Sequence, residues 1–441
     1  MIAPKGLVPR DPQVGDDPHS RRRAGNQLGV ELDVLLLTGG LLAVAVATLS
    51  SSLRRYPVSE PLLGLLAGIA LGPAVLGVLD VAPLTDDTAW AHTATRLLLA
   101  VSVMSVALRY PFRAARSRWE PVALLLAVGM PAMAVITAGL SAWILGVGLG
   151  TALLLGAALS PTDPVLASNV VTGAPAEESL PARDRQVLSL ESGANDGLAM
   201  PLVLLAVGIA GTAGVGGTLL ESAWQVAGAV LVGALLGWLG GQSIRAGEDR
   251  GATEPGPLAL FTAVLAFAVL GLSGLVHVDG VLAVFVAGLA FNLTASDSDR
   301  TTDVPIDEAV NRFLVLPLFI ALGAALPWAA WGDLGWSGVL LAVAVLLLRR
   351  LPVLLLLARP LRLRTPDAVW FGWFGPIGVS ALFYLSLEAE RLGLDPTVLA
   401  AGTLVVAAST VVHGVTAAPG RLLYQRATAD EGTPESAPAA R

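Results

Sequence analysis

Leu190-Glu191-Ser192-Gly193-Ala194-Asn195-Asp196-Gly197 runs without a break into Leu198-Ala199-Met200-Pro201-Leu202-Val203-Leu204-Leu205. The first stretch carries two carboxylates, an amide and a hydroxyl, whereas the second is as apolar as hydrocarbon. Asp196 falls near the middle of a long segment, about 184–211, where an ionised Asp costs roughly 2.5 to 3.5 kcal/mol on insertion scales. Nothing nearby in sequence offsets that cost, so a charge at this depth points to function. Helical spacing sorts the polar groups into two stripes. Ser192 and Asp196 are i, i+4 and offer hydroxyl and carboxylate oxygens, the donors that a hard cation takes. Glu191 and Asn195 form the adjacent stripe and suit a structural partnership with a cationic side chain from another helix.

Composition extends this reading to the whole chain. Of 441 residues, 54% are hydrophobic and 14% charged, and the mean hydropathy is +0.72, outside the range of soluble domains. Apolar runs long enough to span recur from about 28 to about 418, which fits an all-α integral membrane protein and not a barrel of alternating strands. The net charge of -7 gives no sign of a nucleic-acid surface. The absence of cysteine excludes disulfides and thiolate metal sites. Residues 1–27 are polar and Pro-rich without a signal-peptide pattern, so they read as a flexible N-terminal tail, and 421–441 read as a flexible C-terminal tail.

Runs bounded by Gly, Pro and charges predict about thirteen helices, at about 28–52, 60–79, 88–108, 121–146, 148–172, 184–211, 216–244, 256–275, 277–296, 305–327, 335–359, 366–391 and 395–418. Arginines gather in the loops after odd-numbered helices, as at Arg109, Arg113, Arg116 and Arg118, or Arg359, Arg362 and Arg364. By the positive-inside rule those loops and the C-terminus are cytoplasmic and the N-terminus is outside. The address this implies is a cell membrane of the bacterial inner-membrane type.

Three further stretches bring polar chemistry to membrane depth. The fifth helix contains Ser160-Pro161-Thr162-Asp163-Pro164, whose prolines Pro161 and Pro164 remove backbone donors and break it. Such a break is tolerated where it lines a polar cavity and can bind ions; Asp163 there either caps the second half-helix, binds a cation, or does both. The eleventh helix holds Arg349 and Arg350 inside an apolar run. One should pair with Glu191, because an unpaired buried Arg is very costly, and the other can snorkel to the cytoplasmic interface. The twelfth carries Phe374-Gly375-Pro376-Ile377-Gly378, and Gly375 and Pro376 make a second break. The fifth and twelfth helices run in opposite directions, the mark of an inverted repeat with two crossing discontinuous helices around a small cation site at Asp163 and Asp196. Glu388 and Glu390, with His92, Arg96 and Glu221, fall near predicted ends and read as interfacial.

Thr162-Asp163-Pro164-Val165 followed by Glu191-Ser192-Gly193-Ala194-Asn195-Asp196-Gly197 resembles the paired motifs of monovalent cation:proton antiporters of the NhaP and NHE type. The stretch beginning Asp279-Gly280-Val281-Leu282, the paired arginines and the glycine-proline break are similar as well. The resemblance implies an antiporter fold with core helices at about 121–211 and 335–418, a dimer scaffold at about 28–108 and 256–327, and a linker helix at about 216–244. It implies a homodimer in the lipid bilayer that binds monovalent cations and protons and uses no cofactor. Carried over by motif, Asp163, Asp196 and Ser192 give side-chain oxygens and Thr162 a backbone carbonyl to Na+, while Glu191, braced by Asn195, pairs with Arg349 by best alignment or else Arg350. Where the family often has an arginine after the glycine-proline pair, this chain has Ile377.

The mechanism expected is alternating access with Asp196 carrying either cation or proton, since burial favours the protonated acid and a nearby cation the carboxylate. Asn195, neutral where some relatives carry a second Asp, implies electroneutral exchange. The alternatives are a K+/H+ antiporter, or a channel or solute symporter on the same scaffold; no motif of an enzyme is present.

Overall fold

Helix is the only regular element among the described residues, as a chain this apolar requires: inside a bilayer each backbone polar group must be satisfied within its own segment. The computed structural model describes residues 18–49, 59–109, 112–163, 166, 180–211, 214–252, 260–294 and 314–429. In chain order the helices are α1 (Pro18–Thr48), α2 (Glu60–Leu71), α3 (Ala89–Leu108), α4 (Phe112–Ser117) and α5 (Trp119–Leu145), then α6 (Leu149–Ala158) and α7 (Ala182–Ala210). They continue as α8 (Val215–Glu248), α9 (Phe261–Leu275), α10 (Gly280–Phe291), α11 (Leu314–Ala324), α12 (Trp328–Leu348), α13 (Leu351–Leu361), α14 (Thr365–Trp373), α15 (Val379–Leu392) and α16 (Pro396–Ala429). Among the described residues seven stretches are long and apolar enough to cross a membrane, and the chain is a multi-pass membrane protein.

Two of the expected boundaries move. α1 begins at Pro18, so residues 18–27 are helical and not tail. α16 continues past Arg421 to Ala429, because Tyr424 anchors it: the phenol donates to Asp367 Oδ1 at 2.6 Å and its ring packs at a tilt of 44° against Trp370. Arg364 closes this cluster with hydrogen bonds of 2.9 Å to each Asp367 oxygen.

α10 packs against α3, α8 and α9, while α12 packs against α16 and α5 against α6 and α12. Between these groups lies α7, which meets α10 and α3 on one side and, through its second half, α6 on the other. The approach of α7 to α10 is possible because a bare backbone faces it. A Cβ on Gly197 would lie 2.6 to 2.7 Å from Leu282, including its backbone, and one on Gly193 would lie 2.8 Å from Phe285 and Val106.

The two expected breaks are present. α6 ends at Ala158, and Leu159 to Asp163 are not helical; Pro164 lies outside the described residues. α14 stops at Trp373 and α15 starts at Val379, leaving Phe374 to Gly378 extended or irregular. The breaks meet directly, the Asp163 N–H donating to the Pro376 carbonyl at 3.0 Å.

Candidate functional site at the crossing

α7 delivers its polar residues to this crossing on the stripes that helical spacing defines. Asn195 is fully employed: Nδ2 donates to Thr162 Oγ1 at 2.8 Å and to Glu191 Oε1 at 2.9 Å, and Oδ1 accepts the Thr162 N–H at 3.2 Å. Its amide therefore fixes the broken chain as well as bracing Glu191. On the other stripe Ser192 Oγ lies 3.1 Å from Thr162 Oγ1.

Of the two arginines left open, Glu191 pairs with Arg350 and not with Arg349, which the alignment favoured. Arg350 Nη1 and Nη2 meet the two Glu191 oxygens at 3.0 and 2.9 Å, and Nε donates to the Phe371 carbonyl at 3.0 Å. This two-point geometry is what a planar guanidinium offers a carboxylate. Gly375 makes room for it, since a Cβ there would sit 2.1 Å from Arg350 Cδ.

Neither arginine snorkels; each is 2% exposed. Arg349 has work that the sequence reading did not assign. Its Nη1 donates to the Leu159 and Pro161 carbonyls, the latter at 3.1 Å, and reaches Ser160 O at 3.3 Å, while Nη2 donates to Gly375 O at 2.5 Å. A broken helix strands carbonyls that would otherwise accept from the next turn, and in a bilayer no water replaces the donor. One guanidinium, with five N–H groups, serves both breaks. The only sequence signal was the second arginine itself.

Asp163 is placed at the start of α15. The Val379 N–H donates to its Oδ2, so the aspartate from one break caps the half-helix that follows the other. Gly378 is required at that point, because a Cβ would come within 2.3 Å of Asp163 Oδ2. Sequence reasoning considered a cap within the fifth helix and missed that the capped helix is the distant one.

Asp196 stands in contrast to its neighbours. It is fully buried, and neither carboxylate oxygen has a hydrogen-bond partner. Ser380 stands beside it, its hydroxyl also without a partner, and the Tyr384 hydroxyl donates to the Asp196 backbone carbonyl. Asp163 is close enough for their charges to interact. The structure thus brings Thr162, Asp163, Ser192 and Asp196 to one crossing with Glu191, Asn195, Arg349 and Arg350 around it. It adds Ser380 and Tyr384, which are separated by one helical turn on α15 and could have been found as a polar stripe in apolar sequence.

Ile377 is buried, and its N–H donates to Ser409 Oγ at 2.8 Å. Glu388, one turn from the end of α15, is 2% exposed and neither oxygen has a hydrogen-bond partner.

A model of the sodium/hydrogen exchanger transmembrane family matches residues 41–420. The chain belongs to that family. Among relatives of this sodium/hydrogen exchanger family member, the Na(+)/H(+) antiporter 2 of Zygosaccharomyces rouxii is 32% identical over an aligned length of 360, covering 76% of this chain and 43% of that protein. The Na(+)/H(+) antiporter NhaH of Halobacillus dabanensis is 27% identical over 405 residues, 88% of this chain and 97% of the relative. This chain spans less than half the length of the Zygosaccharomyces rouxii and Saccharomyces cerevisiae relatives that it matches. The fold is that of the sodium proton antiporter MjNhaP1 from Methanocaldococcus jannaschii at pH 8, with a TM-score of 0.70 at 18% identity, covering 90% of this chain and 99% of the other.

Proposed function

We propose that this family member exchanges Na+ for H+ across the membrane by alternating access, with Asp196 as the group that carries one or the other. The observation that carries the proposal is the Asp196 carboxylate, buried at the crossing with both oxygens unspent. A buried carboxylate is stable with a bound proton or a bound cation and costly with neither, so the two compete for one place and their fluxes are coupled. In this reading Asp163, Ser192 and the Thr162 backbone carbonyl supply further oxygens to Na+, and Glu191, Asn195, Arg349 and Arg350 keep the crossing in shape. With Asn195 neutral and engaged at both ends of its amide, one carboxylate is left to exchange, which supports one proton per cation and electroneutral transport.

The kinship supports sodium as the ion, a transporter and not an enzyme, and a role in pH homeostasis. In this reading the protein is a homodimer in a cell membrane, and the arginine-rich loops support an N-terminus outside and a C-terminus inside. The core at about 121–211 and 335–418 moves against a scaffold at about 28–108 and 256–327. The test is recovery of a quenched pH dye in everted vesicles on addition of Na+, Li+ or K+. Na+ restores fluorescence in the wild type and not in Asp196→Asn. Failure of all three ions across neutral pH, or full activity in Asp196→Ala, overturns the reading.

A further inference from the structure

A second buried carboxylate lies on the same helix as the groups that touch Asp196, and a cavity lies beside it. α15 presents Ser380, Tyr384 and Glu388 at i, i+4 and i+8, so they share one face. Ser380 stands beside Asp196 and Tyr384 holds the Asp196 carbonyl. Glu388 is then about 12 Å beyond Ser380 along the helix at 1.5 Å per residue, toward the end opposite the arginine-rich loops. There it lines a cavity of about 580 Å³ with Gly148, Thr151, Gly211, Arg391 and Asp395. A water's share of the liquid is about 30 Å³, so the space admits a cation together with its water shell.

The charges around this cavity favour a cation. Arg391 is spent on Glu221 of α8 at 2.8 Å. Asp395, the charged group close enough to act on Glu388, uses Oδ1 to accept the N–H groups of Thr397 and Val398 at the start of α16. The lining thus carries two carboxylates, Glu388 and Asp395, and one guanidinium that Glu221 already neutralises. The helix dipoles cancel here, because α7 and α15 end at this cavity while α6 and α16 begin at it. Glu388 is left as a 2% exposed carboxylate with no hydrogen-bond partner, and Thr151 on the same lining adds a hydroxyl oxygen. Hard monovalent cations take this kind of oxygen set.

We infer that Glu388 and this cavity form a second binding site for a monovalent cation, occupied on the way between that face of the membrane and Asp196. The site deepens the exchange reading, yet binding at Glu388 can be measured without transport.

The test is infrared difference spectroscopy of the purified full chain, Na+ against choline, following the carboxyl bands in wild type, Asp196→Asn, Glu388→Gln and the double variant. The expected result is a Na+-induced carboxyl change that persists in Asp196→Asn and disappears in the double variant, with Glu388→Asp retaining it. In vesicles, Glu388→Gln should raise the Na+ concentration for half-maximal exchange about tenfold. Loss of the whole Na+ signal in Asp196→Asn alone overturns the second site and leaves the exchange reading standing. A Glu388-dependent signal in a wild type that exchanges nothing upholds the site and overturns the exchange reading.

Discussion

Glu191 and Asp196 are both fully buried on α7 and differ in what they touch. Glu191 has a bidentate arginine and an amide, whereas the oxygens of Asp196 have no partner. Their substitutions should therefore separate. Asp196→Asn keeps the shape and removes the charge, so exchange in vesicles should vanish while the thermal unfolding temperature of the purified protein stays the same or rises. Glu191→Ala strands Arg350, and breaking a buried pair from one side costs about 3 to 5 kcal/mol, read as a lower unfolding temperature. Adding Arg350→Met should restore a large part of that loss. The two-stripe division of α7 was legible from residue spacing alone. The choice between Arg349 and Arg350 was not, because adjacent residues differ by about a third of a helical turn and only the position of the broken helices decides which faces Glu191.

At the level of elements, the crossing is held by groups that each serve two segments. Asp163 caps α15 from the other break, and Arg349 accommodates carbonyls of both. Gly378→Ala would drive a Cβ into Asp163 and Leu166; overpacking of this kind costs about 1 to 3 kcal/mol and should appear as lower thermal stability with loss of exchange. At the seam between α7 and α10, Gly197 lies against the backbone of Leu282, while Gly193 leaves room for the Phe285 and Val106 side chains. Gly197→Ala would place a Cβ 2.7 Å from the Leu282 backbone, which cannot rotate away, so it should lower the unfolding temperature as well as the initial rate of dye recovery. Helix breaks were readable because proline and glycine in an apolar run have few other uses. Cap partners were not, since Asp163 and Val379 are 216 residues apart and nothing local in either stretch names the other.

For the whole molecule, hydropathy was enough to expect helices and spans, because the bilayer leaves few alternatives. It failed at the ends of α1 and α16, where helix continues beyond the apolar run. Polar sequence there reads as tail until a tertiary anchor is known, and for α16 that anchor is Tyr424 on Asp367. Tyr424→Phe should cost about 1 kcal/mol and expose the last turns of α16 to protease, checked by limited proteolysis. The capping of α15 by Asp163 from the other break carries a consequence for heredity. Residues that close each crossing come from both ends of the gene, so a change at one is judged by its distant counterpart. Chimeras that join the first half of this chain to the second half of a relative should fail to assemble unless Asp163, Gly378 and the arginine pair travel as a set, and relatives should have exchanged these positions together.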